Sequence, residues 1–198
     1  MGLDLEYIKG QTPLDEDEKE GLRIKTISTR SELDEFEQAN IENAIEWSLR
    51  RNYGYEKILT IEFIKEVHKR MFSEVWEWAG TFRKTNKNIG VDKHQIEQEL
   101  YALSDDCRFW IQNKTFTNDE IAIRFKHRLV KTHPFPNGNG RHSRLCADIL
   151  VSHVFGQPIF SWGISNIANT GKTRTNYLKA IYKADEENII PLIEFARS

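Results

Sequence analysis

Apolar residues along this chain recur mostly three or four positions apart, the spacing of one face of an α-helix, and that rhythm fails in only a few places. Leu33, Phe36, Ile41, Ala44, Ile45 and Leu49 follow it, and Ser31 stands where a cap would open the helix they predict. Thr60 opens a second helix, TIEFIKEVHKRMFSEVWEW, with Ile61, Ile64, Val67, His68, Met71, Phe72 and Val75 on one stripe. On that stripe His68 reads as a hydrogen-bonded core histidine. Gly80 and Gly90 then bracket GTFRKTNKNIG, where the period changes and Asn86-Lys87-Asn88 supplies turn chemistry, so a short β-hairpin is expected. Helical spacing returns in IEQELYALSDDCRFWIQ. It returns again after the capping box at Thr117-Asn118-Asp119-Glu120, with Ile121, Phe125 and Leu129 facing inward, and in two later segments, which a short apolar tail, IIPLIEFA, follows. The expectation is an all-α helical bundle with one β-hairpin, residues 30–198, carrying an N-terminal arm, residues 1–29, whose TPLDEDEKEGL has no sustained period.

Composition narrows the class. A chain of 198 residues with 39% apolar content can bury one sizeable core. The net charge of −2 provides no general field for nucleic acid, so direct nucleic-acid binding is not expected and any anion site has to be local. The two cysteines, Cys107 and Cys146, argue against a disulfide framework and for a reducing cytoplasm. The acidic start MGLDLEYIKG has no apolar run, and no stretch approaches a membrane span.

The informative interruption is THPFPNGNGRHSR, residues 132–144. Pro134 cannot sit inside the helix that precedes it, so the chain turns at His133. Gly138 and Gly140, on either side of Asn139, are free to adopt positive φ just before RHSRLCADILV restarts a helix. Backbone N–H groups at such a helix start, together with its dipole, form an anion nest. Arg141 and Arg144 in the first turn oppose that dipole, which makes sense if an anion satisfies them, a diphosphate or triphosphate being the natural candidate. His133 is then a general base close to bound phosphate. Phe135 reads as an anchor that plugs the loop into the core. His142 has no second ligand at metal spacing and reads as a helix-surface residue.

The twelve residues 133–144, HPFPNGNGRHSR, resemble the signature of the Fic family, HPFx(D/E)GNGRxxR, at every fixed position but Asn137. The segment WAGTFR and the late Tyr177, Ala180, Ala184, Asp185 pattern resemble that family too, as do the flanking helices. The arm and EFEQANIENAIEW are similar more particularly to the bacterial subgroup called mobile mystery protein B. The resemblance implies a protein adenylyltransferase that moves AMP from ATP to a Tyr, Ser or Thr hydroxyl of a target protein. In it His133 is the base, Gly138, Asn139 and Gly140 cradle the phosphates, and Arg141 and Arg144 hold the outer ones. The hairpin corresponds to a flap that docks the target by strand addition, through Thr81, Arg83, Lys84 and Ile89, its Arg83, Lys84 and Lys87 otherwise reading as exposed charges. A small helix-turn-helix protein is a further partner the subgroup suggests.

Asn137 stands where the family has the acid that binds Mg²⁺, and an amide oxygen carries no charge. The alternatives are therefore a metal-poor transferase, an enzyme using another phosphoryl or nucleotidyl donor, or a regulatory protein that binds nucleotide without turnover. Some relatives are inhibited by a (S/T)xxxE(G/N) helix whose glutamate pairs with the second arginine. Glu42-Asn43 matches its end, but Gln38 replaces the hydroxyl residue, and Glu42 reads equally well as a surface acid. Thr170-Gly171-Lys172-Thr173 is similar to the end of a phosphate-binding loop, yet Asn166 stands where that motif needs glycine, so it reads as a helix start.

Overall fold

The arm is tied down by charge and by apolar contact. In a computed structural model, which describes residues 13–163 and 170–198, Leu14, Leu22 and Ile27 are buried in the same core as the helices. Helix α1 (Glu16–Glu20) opens with a capping box between Asp15 and Glu18. Both acids reach Lys87, at 2.8 and 2.6 Å, and only 4% of the Lys87 side chain stays exposed. The hydrogen bonds from Lys87 and Thr85 hold the Asp15 carboxyl below its ordinary range. Residues 1–12, the start of the expected arm, lie outside the described residues.

Helix α2 (Arg30–Leu49) begins earlier than Ser31 would allow, because Thr29 and Glu32 form a reciprocal box: Thr29 Oγ1 accepts from the Glu32 N–H, and the Glu32 carboxylate accepts from the Thr29 N–H. Its inward face is also different from the one expected. Leu33, Glu37, Asn40, Ile41, Ala44 and Ser48 are buried, whereas Phe36, Ile45 and Leu49 are exposed. Two polar residues face inward because each has a partner there. The Asn40 side chain donates to Arg70 O and accepts from Glu74 N, 2.9 and 3.0 Å.

After a single turn, α3 (Tyr55–Ile58), comes α4 (Ile61–Phe72), capped by Thr60 as its sequence requires. This helix stops short of the expected Trp78. Asn40 serves both the carbonyl and the amide at its end, and Trp76 turns inward to donate from Nε1 to Glu37 at 2.7 Å. The only β-bridge among the described residues joins Leu22 of the arm to Trp76.

Helices α5 (Ile96–Asn113), α6 (Asn118–Thr132) and α7 (Asn139–Phe155) follow, then α8 (Thr170–Asp185) and α9 (Ile190–Arg197). The α6–α7 pair is the spine. Against it pack α5 and α9 on the α6 side and α3 and α4 on the α7 side, with α2 backing α4 and α8 backing α9. Ala180 and Ala184 of α8 are buried, and His127 of α6 bonds Asp185 at 3.0 Å. The all-α expectation holds. No helix among the described residues is long and apolar enough to cross a membrane.

The hairpin is not formed: residues 81–91 contain no strand. Arg83 explains why. Its guanidinium donates to Thr85 O at 2.8 Å and to Val91 O, two carbonyls that a cross-strand ladder would have used, and to His133 O at 2.7 Å. Arg83 is therefore buried rather than an exposed charge, and Lys87 is likewise enclosed. Thr81, Lys84 and Ile89 remain on the surface.

Because Lys87 joins the arm to this loop, Lys87→Met should lower the unfolding free energy by about 1–3 kcal/mol in urea titrations and should speed protease cleavage within residues 13–29. Unchanged stability and cleavage would show that the arm is held by its apolar residues alone.

Candidate functional site

The site lies where α6 ends and α7 begins. His133 caps α6 in the left-handed conformation, φ 53°, its N–H reaching back to Leu129 O. A non-glycine residue there costs on the order of 1 kcal/mol or more, so its surroundings have to enforce it. They do so from both sides. The loop 81–91 is tied to this turn by Arg83 N–H to Pro134 O, by Val91 N–H to Thr132 O, and by the Arg83 side chain on His133 O. Gly90, at φ 97°, lets the loop close up: a side chain there would come within 2.7 Å of His133 Cβ.

Beyond His133 the loop is clamped internally. Asn139 is buried, and its side-chain amide accepts from Phe135 N at 3.0 Å and donates to Phe135 O at 2.8 Å. The Asn139 side chain thus braces the turn, so of this residue only the backbone is left to face a ligand. Phe135 is the expected anchor, fully buried and stacked on His68 with centroids 3.7 Å apart. His68 is the hydrogen-bonded core histidine the sequence suggested. Its Nδ1 accepts from Gly80 N–H at 3.0 Å, so the proton is on Nε2, which donates to Asn137 O at 3.1 Å. Burial, then the neighbouring His142, keeps His68 neutral by pushing its pKa well below the ordinary value.

Gly138 takes φ 77° and faces Phe72, whose ring would lie 2.5 Å from any Cβ, so both conformation and space demand glycine. Gly140 does not adopt positive φ. It lies in the first turn of α7, and a Cβ there would meet nothing within 4 Å, leaving open space above it. Helix α7 starts with no side-chain cap and no acid in its first turn. By helix geometry its first N–H groups, at residues 139–141, have no partner within the helix and direct positive charge into that space.

Each arginine has an aromatic seat. Arg141 lies over Phe72, 5.0 Å from the ring centroid, and Arg144 over Tyr177, 5.6 Å. They differ in electrostatics. Arg141 is already paired with Glu37 at 2.6 Å, a carboxylate the sequence reading did not single out. Arg144 has no ion pair among the described residues; burial lowers its pKa, and the oxygen of Tyr177, which accepts from buried Lys126 at 2.6 Å, lies against it. His142 is not a surface residue: it is fully buried and Nε2 donates to Ile64 O at 2.9 Å. The period placed it correctly on α7, but that face turns toward α4.

Residues 58–151 match the family model described as Fic/DOC family. Those residues are similar to a Fic/DOC-family domain. The chain is 26% identical over 141 residues to protein adenylyltransferase Fic of Aedes aegypti, covering 69% of this chain and 27% of that protein. Its identity to protein adenylyltransferase Fic of Nematostella vectensis is 23% over 177 residues, covering 85% and 39%. The chain thus spans well under half of these relatives. Among solved structures, the Bartonella tribocorum BepC protein with bound AMPPNP superposes with a TM-score of 0.68 at 19% identity, over 96% of this chain and 93% of that one. That likeness establishes the Fic fold.

Two signature-derived assignments have specific geometries in this Fic fold. Asn137 turns its side-chain oxygen onto the Gly138 N–H at 2.6 Å, so its one uncharged donor is already engaged. Magnesium in nucleotide sites is usually held by one or two carboxylates plus phosphates, and this donor set does not fit it. Glu42 is exposed, accepts from Gln38 Nε2 at 3.0 Å and makes no ion pair with Arg144 among the described residues. A helix-surface acid is all that this geometry shows.

Burial, then Arg83, pushes His133 down to about 4, and burial alone lowers His142 to about 4. In the unfolded chain both titrate near 6.5. The folded state therefore binds fewer protons between these values, and stability is lost as pH falls from about 6.5 toward 4. Asp148, raised to about 6 by burial, works the other way and offsets part of the loss. Chemical denaturation at pH 7.5 and pH 5 should show a loss on the order of 2 kcal/mol or more. Equal stability at the two values would contradict this.

Proposed function

We propose that this Fic domain is a protein adenylyltransferase that moves AMP from ATP to the hydroxyl of a Tyr, Ser or Thr on a target protein. The observation that carries the proposal is a neutral, enclosed imidazole, His133, beside an uncapped helix start flanked by two ring-seated arginines. In this reading Gly138 shapes the turn, and the N–H groups of Asn139, Gly140 and Arg141 and the guanidinium of Arg144 receive the phosphates. His133 takes the proton from the target hydroxyl as its oxygen attacks the α-phosphorus. The bond from that phosphorus to the bridging oxygen breaks, and pyrophosphate leaves on the two arginines. Negative phosphates beside His133 favour its protonated form, raising its basicity when substrate is present.

The target would dock on the surface of loop 81–91. Ile89 is 47% exposed next to Gly90, which abuts His133, so a chain lying over Thr81, Lys84 and Ile89 would bring its hydroxyl to the imidazole. Arg83 serves this docking only from below, by holding the loop. The free, buried thiols of Cys107 and Cys146 fit a reducing cytoplasm. The resemblance of the arm and of EFEQANIENAIEW supports placement in the mobile mystery protein B subgroup, with a small helix-turn-helix protein as partner.

A second reading draws on Asn137: its engaged amide and missing charge favour a protein that binds nucleotide without turnover. One experiment separates the two. Incubated with α-labelled ATP and lysate under a magnesium titration, the parent should label a protein band. His133→Ala should reduce labelling about 10²–10⁴-fold, and Asn137→Asp should increase its magnesium dependence and level. Equal labelling by His133→Ala would remove the base assignment. ATP binding without transfer by parent or Asn137→Asp, across many lysates, would establish the second reading.

A further inference from the structure

Glu37 is buried in the middle of α2, a site where a carboxylate is stable only if its charge is met. Two groups meet it: Trp76 Nε1 donates to Oε1 at 2.7 Å, and the Arg141 guanidinium forms an ion pair with Oε2, Nη2 lying 2.6 Å away. The two partners differ in kind. Trp76 is fully buried, whereas 30% of the Arg141 side chain is exposed at the start of α7. The carboxylate thus holds one edge of the guanidinium from inside the protein. The fork's remaining donors are left for a ligand.

We infer that Glu37 is a positioning residue that fixes Arg141 for phosphate, an inference that rests on the nucleotide-binding part of the function proposed above. Arg141 needs such a holder. A cation in the first turn of a helix is repelled by the same N–H groups that attract the phosphate, so an unheld Arg141 would swing toward solvent. Glu37 cancels that repulsion, and Phe72 supports the guanidinium from one face. The same Phe72 ring excludes any side chain at Gly138, so arginine and loop are aligned against one surface.

The opposite role, an acid competing with phosphate for Arg141, would require a carboxylate able to withdraw. This one is not built to move. Its other oxygen is bound by Trp76, and the next turn of α2 is fastened to the end of α4 by the two Asn40 hydrogen bonds. Arg144 shows the contrast, having a ring seat but no ion pair among the described residues.

Calorimetric titration of the full chain with ATP tests the inference, with the parent, Glu37→Gln, Arg141→Ala and the double variant compared, and with melting temperatures recorded alongside. Glu37→Gln retains an acceptor for Trp76 and loses the charge. It should weaken ATP binding about tenfold, the equivalent of one charge-assisted hydrogen bond, although it makes the site more positive. In the Arg141→Ala background it should change binding less than about twofold. Binding that is unchanged or tighter in Glu37→Gln would overturn the inference, tighter binding identifying Glu37 as a competitor. A loss that persists without Arg141 would also overturn it, marking a general structural role. If Glu37→Gln fails to fold, Trp76→Phe, which frees Oε1, has to give a weakening in the same direction. A parent that does not bind ATP would overturn the nucleotide reading itself, a result distinct from equal binding by parent and variant.

Discussion

Two hydrogen bonds between the Asn139 side chain and the Phe135 backbone close the loop on which the site depends. With them in place, Phe135 is committed to its stack on His68, the α6 helix ends at His133 rather than drifting past it, and α7 starts with its first amides facing outward. An amide side chain is required. It both accepts from and donates to one residue's backbone, which neither a carboxylate nor a hydroxyl at neutral pH can do with the same two-point geometry. The proposed anion nest is thus preorganised by groups that do not themselves face it, so in that proposal little ordering cost remains to be met on binding.

A second set of contacts reaches the same turn from outside. Lys87 ties the arm to loop 81–91, Arg83 ties that loop to His133, and Gly90 allows the close approach. Arm, loop and imidazole are thus mechanically continuous. Basic residues that would be unremarkable on a surface become structural once buried, because each supplies several directed donors to carbonyls or carboxylates.

The sequence made the site itself readable, since proline, glycine and arginine leave few conformational options at residues 133–144, and the helices were equally plain where apolar spacing was regular. What could not be read is which polar residues turn inward. Glu37 and Asn40 lie on α2 with the spacing of an ordinary mixed face, and only the positions of Trp76, Arg141 and the end of α4 give them partners. The hairpin expectation failed for a related reason. Local turn chemistry was present, but the guanidinium of Arg83 took the carbonyls, and nothing along the chain indicates where a long side chain will fold back. His142 was misjudged because a helix face can be covered by α4, far away in sequence.

The account's central claim is that the start of α7 is a preformed receptor for phosphates. Amide chemical shifts in the ¹⁵N-labelled protein, followed while ATP is added and compared with adenosine, test it most directly. The predicted result is saturable movement of the Gly138, Asn139, Gly140 and Arg141 amides with ATP and little movement there with adenosine. Amides at these four positions that stay still while shifts elsewhere saturate would contradict it.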